Sequence, residues 1–204
     1  LLSTGAVKCW GYNGYGQLGD GTTSNRSTPT QVSGITSGAV AIVAGSNHTC
    51  ALLATGDVKC WGSNISGQLG IRSTLNAVGD GAGEMGSSLT TTFVGAAIHI
   101  AAGREHTCAL FFDGTVKCWG DNFYGQLGRA NITDIGRSAL SMGIYLSSIN
   151  LGSGRTATQI AVGNDHTCAL LDDGTLKCWG RNGSGQLGRG DKLNYGDSSS
   201  ETIS

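Results

Sequence analysis

Three features predict an all-β protein assembled from copies of one unit: an internal repeat, strand-length apolar runs on either side of tight turns, and a glycine-rich connector that no helix would tolerate. The repeat is plain in HTCALLATGDVKCWGSNISGQLG at 48–70, HTCALFFDGTVKCWGDNFYGQLG at 106–128 and HTCALLDDGTLKCWGRNGSGQLG at 166–188. A shortened copy, LLSTGAVKCWGYNGYGQLG, occupies 1–19. The Cys of the KCWG element falls at Cys9, Cys60, Cys118 and Cys178, steps of 51, 58 and 60 residues, which is the period of blade or solenoid arrays.

Within a copy the first element is a run of small and β-branched residues: AVAIVAG at 39–45, AAIHIAAG at 96–103 and ATQIAVG at 157–163. Each reads as a strand leading into a hairpin. The hairpin itself is two apolar runs joined at a Gly-containing turn such as Asp113-Gly114, where Gly supplies the positive φ the turn demands. A three-residue connection over Phe112–Gly114 sets Cys108 directly across from Cys118, and the same ten-residue step separates Cys50 from Cys60 and Cys168 from Cys178. Opposed side chains in such a pair are close enough for a disulfide after local twist. Three cross-strand disulfides are therefore expected. Cys9 is the odd seventh cysteine, and the alignment of LLSTGAVKCW on ALLATGDVKCW places its expected partner just before Leu1.

Alternation puts His106, Cys108 and Leu110 on one face and Thr107, Ala109 and Phe111 on the other. Apolar side chains on both faces require a hairpin sandwiched between neighbours. The W-G-x-N-x-x-G-Q-L-G element that follows reads as a tight fixed turn. DGTTSNRSTPTQVSG at 20–34 and RSTLNAVGDGAGEMGSSLTTTFVG at 72–95 read as variable loops, the places where the units differ.

A net charge of -1 with 13% charged residues excludes a disordered polyelectrolyte and a basic nucleic-acid face. No apolar run of about 18 residues is present to span a bilayer, and no signal peptide is visible. The chain is expected to be a segment of a longer protein, with any targeting signal outside it.

The motif G-x-x-H-T-C-A-L followed by D-G-x-V-K-C-W-G-x-N-x-x-G-Q-L-G resembles the regulator of chromosome condensation repeat, in the cysteine-bearing form of its secreted and cell-surface members. The resemblance covers essentially the whole chain. It implies a β-propeller, seven-bladed in that family, of which this chain would form about half a ring. On that reading one propeller domain divides into a truncated first repeat at 1–38, blades at 39–95 and 96–156, and a truncated fourth repeat at 157–204. Activities in the family, which include nucleotide exchange, enzyme inhibition and light sensing, reside in loops and insertions rather than in the repeat signature. Trp10, Trp61, Trp119 and Trp179 each take the same slot and read as packing residues.

His48, His106 and His166 recur once per unit. Convergence on a metal is the sharper reading; a buried imidazole bonded to neighbouring backbone is the one adopted, because equivalent positions on different blades lie too far apart to share an ion. Lys8, Lys59, Lys117 and Lys177 are expected to lay their stems over apolar surface. The cysteine spacing does not suit zinc, and disulfides imply an oxidising compartment. Five N-x-S/T sequons, at Asn25, Asn47, Asn64, Asn131 and Asn182, are candidate glycosylation sites. Asn64 and Asn182 share a slot with Asn13 and Asn122 where the amide is expected to bond turn backbone. Asp80 and Glu84, with Asp197 and Glu201 in the matching linker, carry oxygen ligands of the kind calcium takes but lack a dense alternating ligand pattern, and they read as solvated loop residues.

No catalytic, cofactor or metal site is assigned. The expected function is a non-catalytic, extracellular or cell-surface scaffold, presenting loops to protein or glycan partners and able to self-assemble into a glycosylated filament or matrix. The alternative is a regulator or inhibitor of another protein, exchange-factor-like or inhibitor-like, or a non-catalytic module of a larger enzyme.

Overall fold

The computed structural model describes residues 1–198 and arranges them as four small antiparallel sheets. The first holds β1 (Lys8–Gly11) and β2 (Arg26–Gln31). The second holds β3 (Ala39–Ala44), β4 (His48–Leu53), β5 (Val58–Ser63) and the short β6 (Ala77–Val78). The third holds β7 (Ala97–Ala102), β8 (His106–Phe111) and β9 (Val116–Gly120), and the fourth β10 (Ala157–Val162), β11 (His166–Leu171) and β12 (Leu176–Gly180).

The turn chemistry fixes the hairpin register. Phe111 N–H bonds the Thr115 carbonyl and Gly114 N–H the Phe111 carbonyl, at 3.0 and 2.9 Å, with Gly114 at φ 76°. That closure sets Leu110 opposite Val116, Cys108 opposite Cys118 and His106 opposite Gly120. The same register recurs for Cys50–Cys60 and Cys168–Cys178, and all three pairs are disulfides with Cα atoms 4.1 Å apart. Cys9 is free and half-buried.

The first strands β3, β7 and β10 lie side by side, each with a bulge near its start. The loops at their ends are laced together, Ser46 N–H to the Arg104 carbonyl at 3.2 Å and Arg104 N–H to the Asn164 carbonyl at 2.8 Å. Sheets that meet along their first strands and spread outward are propeller blades, here part of a ring. Buried Leu52, Val58, Ile100, Leu110, Val116 and Ile160 fill the spaces between them.

Two details differ from the sequence reading. The linkers, read as loops, supply outer strands: β2 and β6, with single bridges at Ile135 and Tyr195 in the equivalent place. β2 carries Pro29 and has no apolar alternation, the composition of an edge strand, which is why its sequence looks like loop. Trp10 also departs from its three counterparts, which are fully buried, by standing 60% exposed. Each buried Trp donates to the Gln carbonyl in the turn of the sheet before it, and among the described residues no sheet precedes that of Trp10.

Candidate functional site

The most constrained polar residues belong to the W-G-x-N-x-x-G-Q-L-G turn. Asn122 Oδ1 accepts from Leu127 N–H at 2.9 Å, and its Nδ2 donates to the Asn131 carbonyl at 2.7 Å. Asn13, Asn64 and Asn182 do the same in their own turns, tying each turn to the linker after it. Gly70 closes one such turn at φ 64°, and a Cβ there would stand 2.7 Å from Trp119 Nε1.

From this turn a relay runs between blades. The Gln68 carbonyl accepts from Trp119 Nε1 at 2.9 Å and from Thr107 Oγ1 at 3.0 Å, both in the next blade. Thr107 Oγ1 in turn lies 2.9 Å from His48 Nε2. A hydroxyl has one proton, and Thr107 gives it to the carbonyl, so His48 must donate from Nε2 and keep Nδ1 bare. One blade on, the Gln126 carbonyl, Thr167 and His106 repeat the arrangement. Both Nδ1 atoms are buried without a partner. Burial pulls the His48 pKa down to about 4 and, with the nearby His48, His166 and Arg104 charges, that of His106 to about 3. The rings are neutral structural donors, and their partner is a threonine hydroxyl, not the backbone expected from sequence. His166, half-buried, is also lowered by burial, opposed by Asp165.

The remaining sequence candidates are placed as follows. Lys117 lies over the Phe111 ring, 5.4 Å from its centroid. Glu84 Oε2 accepts from Gly79 and Gly81 N–H at 2.9 Å each, bracing its own loop. Burial and the Glu84 carboxyl raise the pKa of Asp80 beside it. Asp197 is half-buried, and Glu201 lies outside the described residues. No group of three or more His, Cys, Asp or Glu able to hold a metal occurs among the described residues.

The fold encloses two of the sequon asparagines, Asn64 and Asn182. Both are fully buried, and each Nδ2 donates within its turn. Asn25 is exposed and uses only Oδ1, as acceptor from Asn13 N–H at 2.9 Å. Asn131 is exposed with Nδ2 on the Arg129 carbonyl at 3.2 Å, and Asn47 is half-buried.

The variable positions give the surface its character, and sequence reasoning did not single them out. Ile65 and Phe123 follow the slot Asn of adjacent turns and are 51% and 65% exposed. Beside Phe123, Arg104 reaches Asp165 at 3.1 Å and Asp121 at 3.7 Å, Arg181 reaches Asp165 at 3.2 Å, and Arg181 covers the Tyr124 ring. The linker after β9 buries Met142 completely yet leaves Leu140, Ile144 and Tyr145 largely exposed. Arg72 Nη2 holds the Met142 carbonyl at 3.1 Å. A usable signal existed: apolar residues inserted where other copies have Gly or polar residues.

Comparison with known proteins agrees with this geometry. Two models of the regulator of chromosome condensation repeat match, one at residues 39–68, 97–126 and 157–186, the other at 4–52 and 113–170. The chain is 32% identical over 200 residues to the ultraviolet-B receptor of Arabidopsis thaliana, covering 94% of this chain and 41% of the receptor. It is 32% identical over 197 residues to a probable E3 ubiquitin-protein ligase, HERC4, of Homo sapiens, covering 95% of this chain and 17% of the ligase. Among solved structures, human WBSCR16 superposes with a TM-score of 0.73 at 22% identity, over 97% of this chain and 48% of that one. Prp20p of Saccharomyces cerevisiae superposes with 0.71 at 23% identity, over 94% and 45%. The chain thus spans less than half the length of each of these four proteins.

Proposed function

The chain belongs to the regulator of chromosome condensation repeat family, and from that premise we propose that it is a non-catalytic interaction scaffold that works outside the cell or on its surface. One observation carries this reading: the repeated polar residues are used up in holding blades together, while the residues that vary between blades are exposed apolar and charged groups. His48, His106, Thr107, Asn122 and the Gln68 carbonyl all have internal structural partners. Leu140, Ile144, Tyr145, Ile65 and Phe123 do not contribute to the core. Phe123, in edge contact with the Tyr124 ring that Arg181 covers, and the exposed linker residues Leu140, Ile144 and Tyr145 suit a protein partner, with glycans as the second class. Prp20p is described by its binding properties to Gsp1p and histones, and at 23% identity it lends this chain a fold rather than a partner.

The extracellular placement rests on three disulfides, which persist in oxidising compartments, and on the free amide of Asn25 in an N-x-S sequon. Surface biotinylation of intact source cells tests it. The chain is expected in the labelled pool, with a mobility that increases on glycan removal, and its confinement to the unlabelled pool would overturn the placement. A second reading, a non-catalytic module within a larger enzyme, draws on the match to 17% of the ligase and would be favoured by a longer parent chain with a catalytic domain.

A further inference from the structure

The linker after β9 contains a turn that the linker after β5 also has. Glu84-Met85-Gly86-Ser87-Ser88-Leu89 and Ser141-Met142-Gly143-Ile144-Tyr145-Leu146 match position for position: Met and Leu are buried, Gly has a positive φ of 74° or 69°, and Gly86–Ser88 and Gly143–Tyr145 each form one 3-10 turn. At the two outward positions one blade has exposed serines, and the other has Ile144, 91% exposed, and Tyr145, 53% exposed. Ser87 and Ser88 show that the fold needs nothing apolar there. They also stay exposed with the next blade in place, so blade stacking does not cover this position. Leu140, largely exposed just before Ile144, extends the pair into an apolar knob. Three arginines surround it: Arg72 donates to the Met142 carbonyl at 3.1 Å, Arg129 to the Ser147 carbonyl at 3.3 Å, and Arg137 to the Asn64 and Ile65 carbonyls at 2.8 and 2.7 Å. Among the described residues none of the three pairs with a carboxylate, and Nε of Arg72 and of Arg129 is buried without a partner.

The complement lies on the same chain. A pocket of about 330 Å³ in the linker after β5 is lined by Ile71, Leu75, Val78 and Leu89, with the Glu84 carboxylate in its wall and Asp80 beside it. Neither carboxylate meets an arginine or lysine among the described residues. Arg137 also donates to the Thr74 carbonyl and to Asn76 Oδ1, on either side of Leu75, which sets the pocket and the base of the knob on one face. We propose that this face docks onto itself: two copies of the chain pair about a two-fold axis, with the Ile144–Tyr145 knob of each entering the pocket of the other. Such a contact requires a surface that is its own complement. Both halves are present here, apolar knob to apolar pocket and uncompensated arginines to uncompensated carboxylates. A few exposed side chains on each copy make a small interface, so the pair is transient. The inference rests on the reading of these linker residues as a protein-binding surface and names the protein as a second copy.

The test is sedimentation equilibrium of the full chain from about 1 μM to about 1 mM, the span in which small interfaces associate. The unmodified chain should pass from monomer to dimer. The double variant Ile144→Ser with Tyr145→Ser gives this turn the serines its counterpart already has, so it should fold with its three disulfides intact and associate at least about tenfold more weakly. Leu75→Arg, which places a bulky charge at the pocket, should weaken association to a similar extent. A mixture of the two variants should associate more tightly than either alone, because one whole knob still meets one whole pocket. A monomer throughout the range, or variants that pair as tightly as the unmodified chain, would overturn the proposal. So would a monomeric chain that binds phosphatidylserine vesicles and loses that binding in the double variant, which would assign the knob to a membrane surface. The scaffold reading fails separately, in the biotinylation experiment, which does not depend on pairing.

Discussion

Replacing Thr107 with Val keeps the shape of the side chain and removes two buried hydrogen bonds. The Gln68 carbonyl loses one donor but keeps Trp119 Nε1, so that half of the change costs about 1 kcal/mol. His48 loses the acceptor of its Nε2 proton, and with Nδ1 already unpartnered its buried ring is left with no bond at all. An orphaned buried donor costs about 1–3 kcal/mol, so the variant should lose about 3 kcal/mol. Thr49 is the internal control. Among the described residues it donates to the Gln17 carbonyl, which Trp61 also serves, and receives no histidine, so in the 204-residue chain Thr49→Val should lose only about 1 kcal/mol. Urea unfolding followed by far-ultraviolet circular dichroism, fitted with a shared m-value, reads both differences. In a double-mutant cycle His48→Phe with Thr107→Val should show a coupling of about 1–2 kcal/mol. Equal losses for Thr49→Val and Thr107→Val, with no coupling, would refute the relay.

Four further outcomes follow from the same structure. Because the His48 and His106 pKa values lie below the unfolded value of 6.5, the unfolded state binds protons first; stability should be flat above that pH and fall as pH drops toward about 4. At pH 5 each histidine should cost about 2 kcal/mol relative to pH 7.5, and denaturant midpoints across that range, with His48→Phe flattening the curve, check it. Removing the Cys108–Cys118 staple as the double alanine variant should cost about 2–3 kcal/mol in urea unfolding, from the entropy of a ten-residue closure. Gly70→Ala forces a positive φ on Ala and a Cβ onto Trp119, and thermal unfolding should show a loss of about 3 kcal/mol. Glycopeptide mapping of material from a glycosylating host should find sugar at Asn25 and none at Asn64 or Asn182; sugar on either buried amide would contradict the turn geometry.

The hairpins were legible because two local signals agreed: the Asp-Gly turn set the register, and cysteines ten residues apart fell opposite one another within it. The slot asparagines were legible for the same reason, since their partners lie within the same turn and linker. The outer strands were not, because a two-residue strand such as Ala77–Val78 or a Pro-bearing edge such as Arg26–Gln31 carries no alternation and is defined by the neighbour it meets. The histidine's partner escaped notice although it stands in the same repeated His-Thr pair: His48 bonds Thr107, 59 residues away, one blade on. Only the stacking of blades turns a local His-Thr pair into an inter-blade bond. The exposure of Trp10 follows from that stacking too, as a slot residue is buried by the preceding turn rather than by its own sheet.

The central claim is that the repeated element is a covalently stapled building block, and counting thiols tests it most directly. In native protein, alkylated at source before lysis and then denatured, Cys50, Cys60, Cys108, Cys118, Cys168 and Cys178 should carry no label, and all six should label after reduction, with peptide mapping joining Cys50 to Cys60, Cys108 to Cys118 and Cys168 to Cys178. Labels on all six before reduction would contradict the staples, remove the main support for an oxidising compartment, and leave the blades held by apolar packing and the histidine–threonine–glutamine relay.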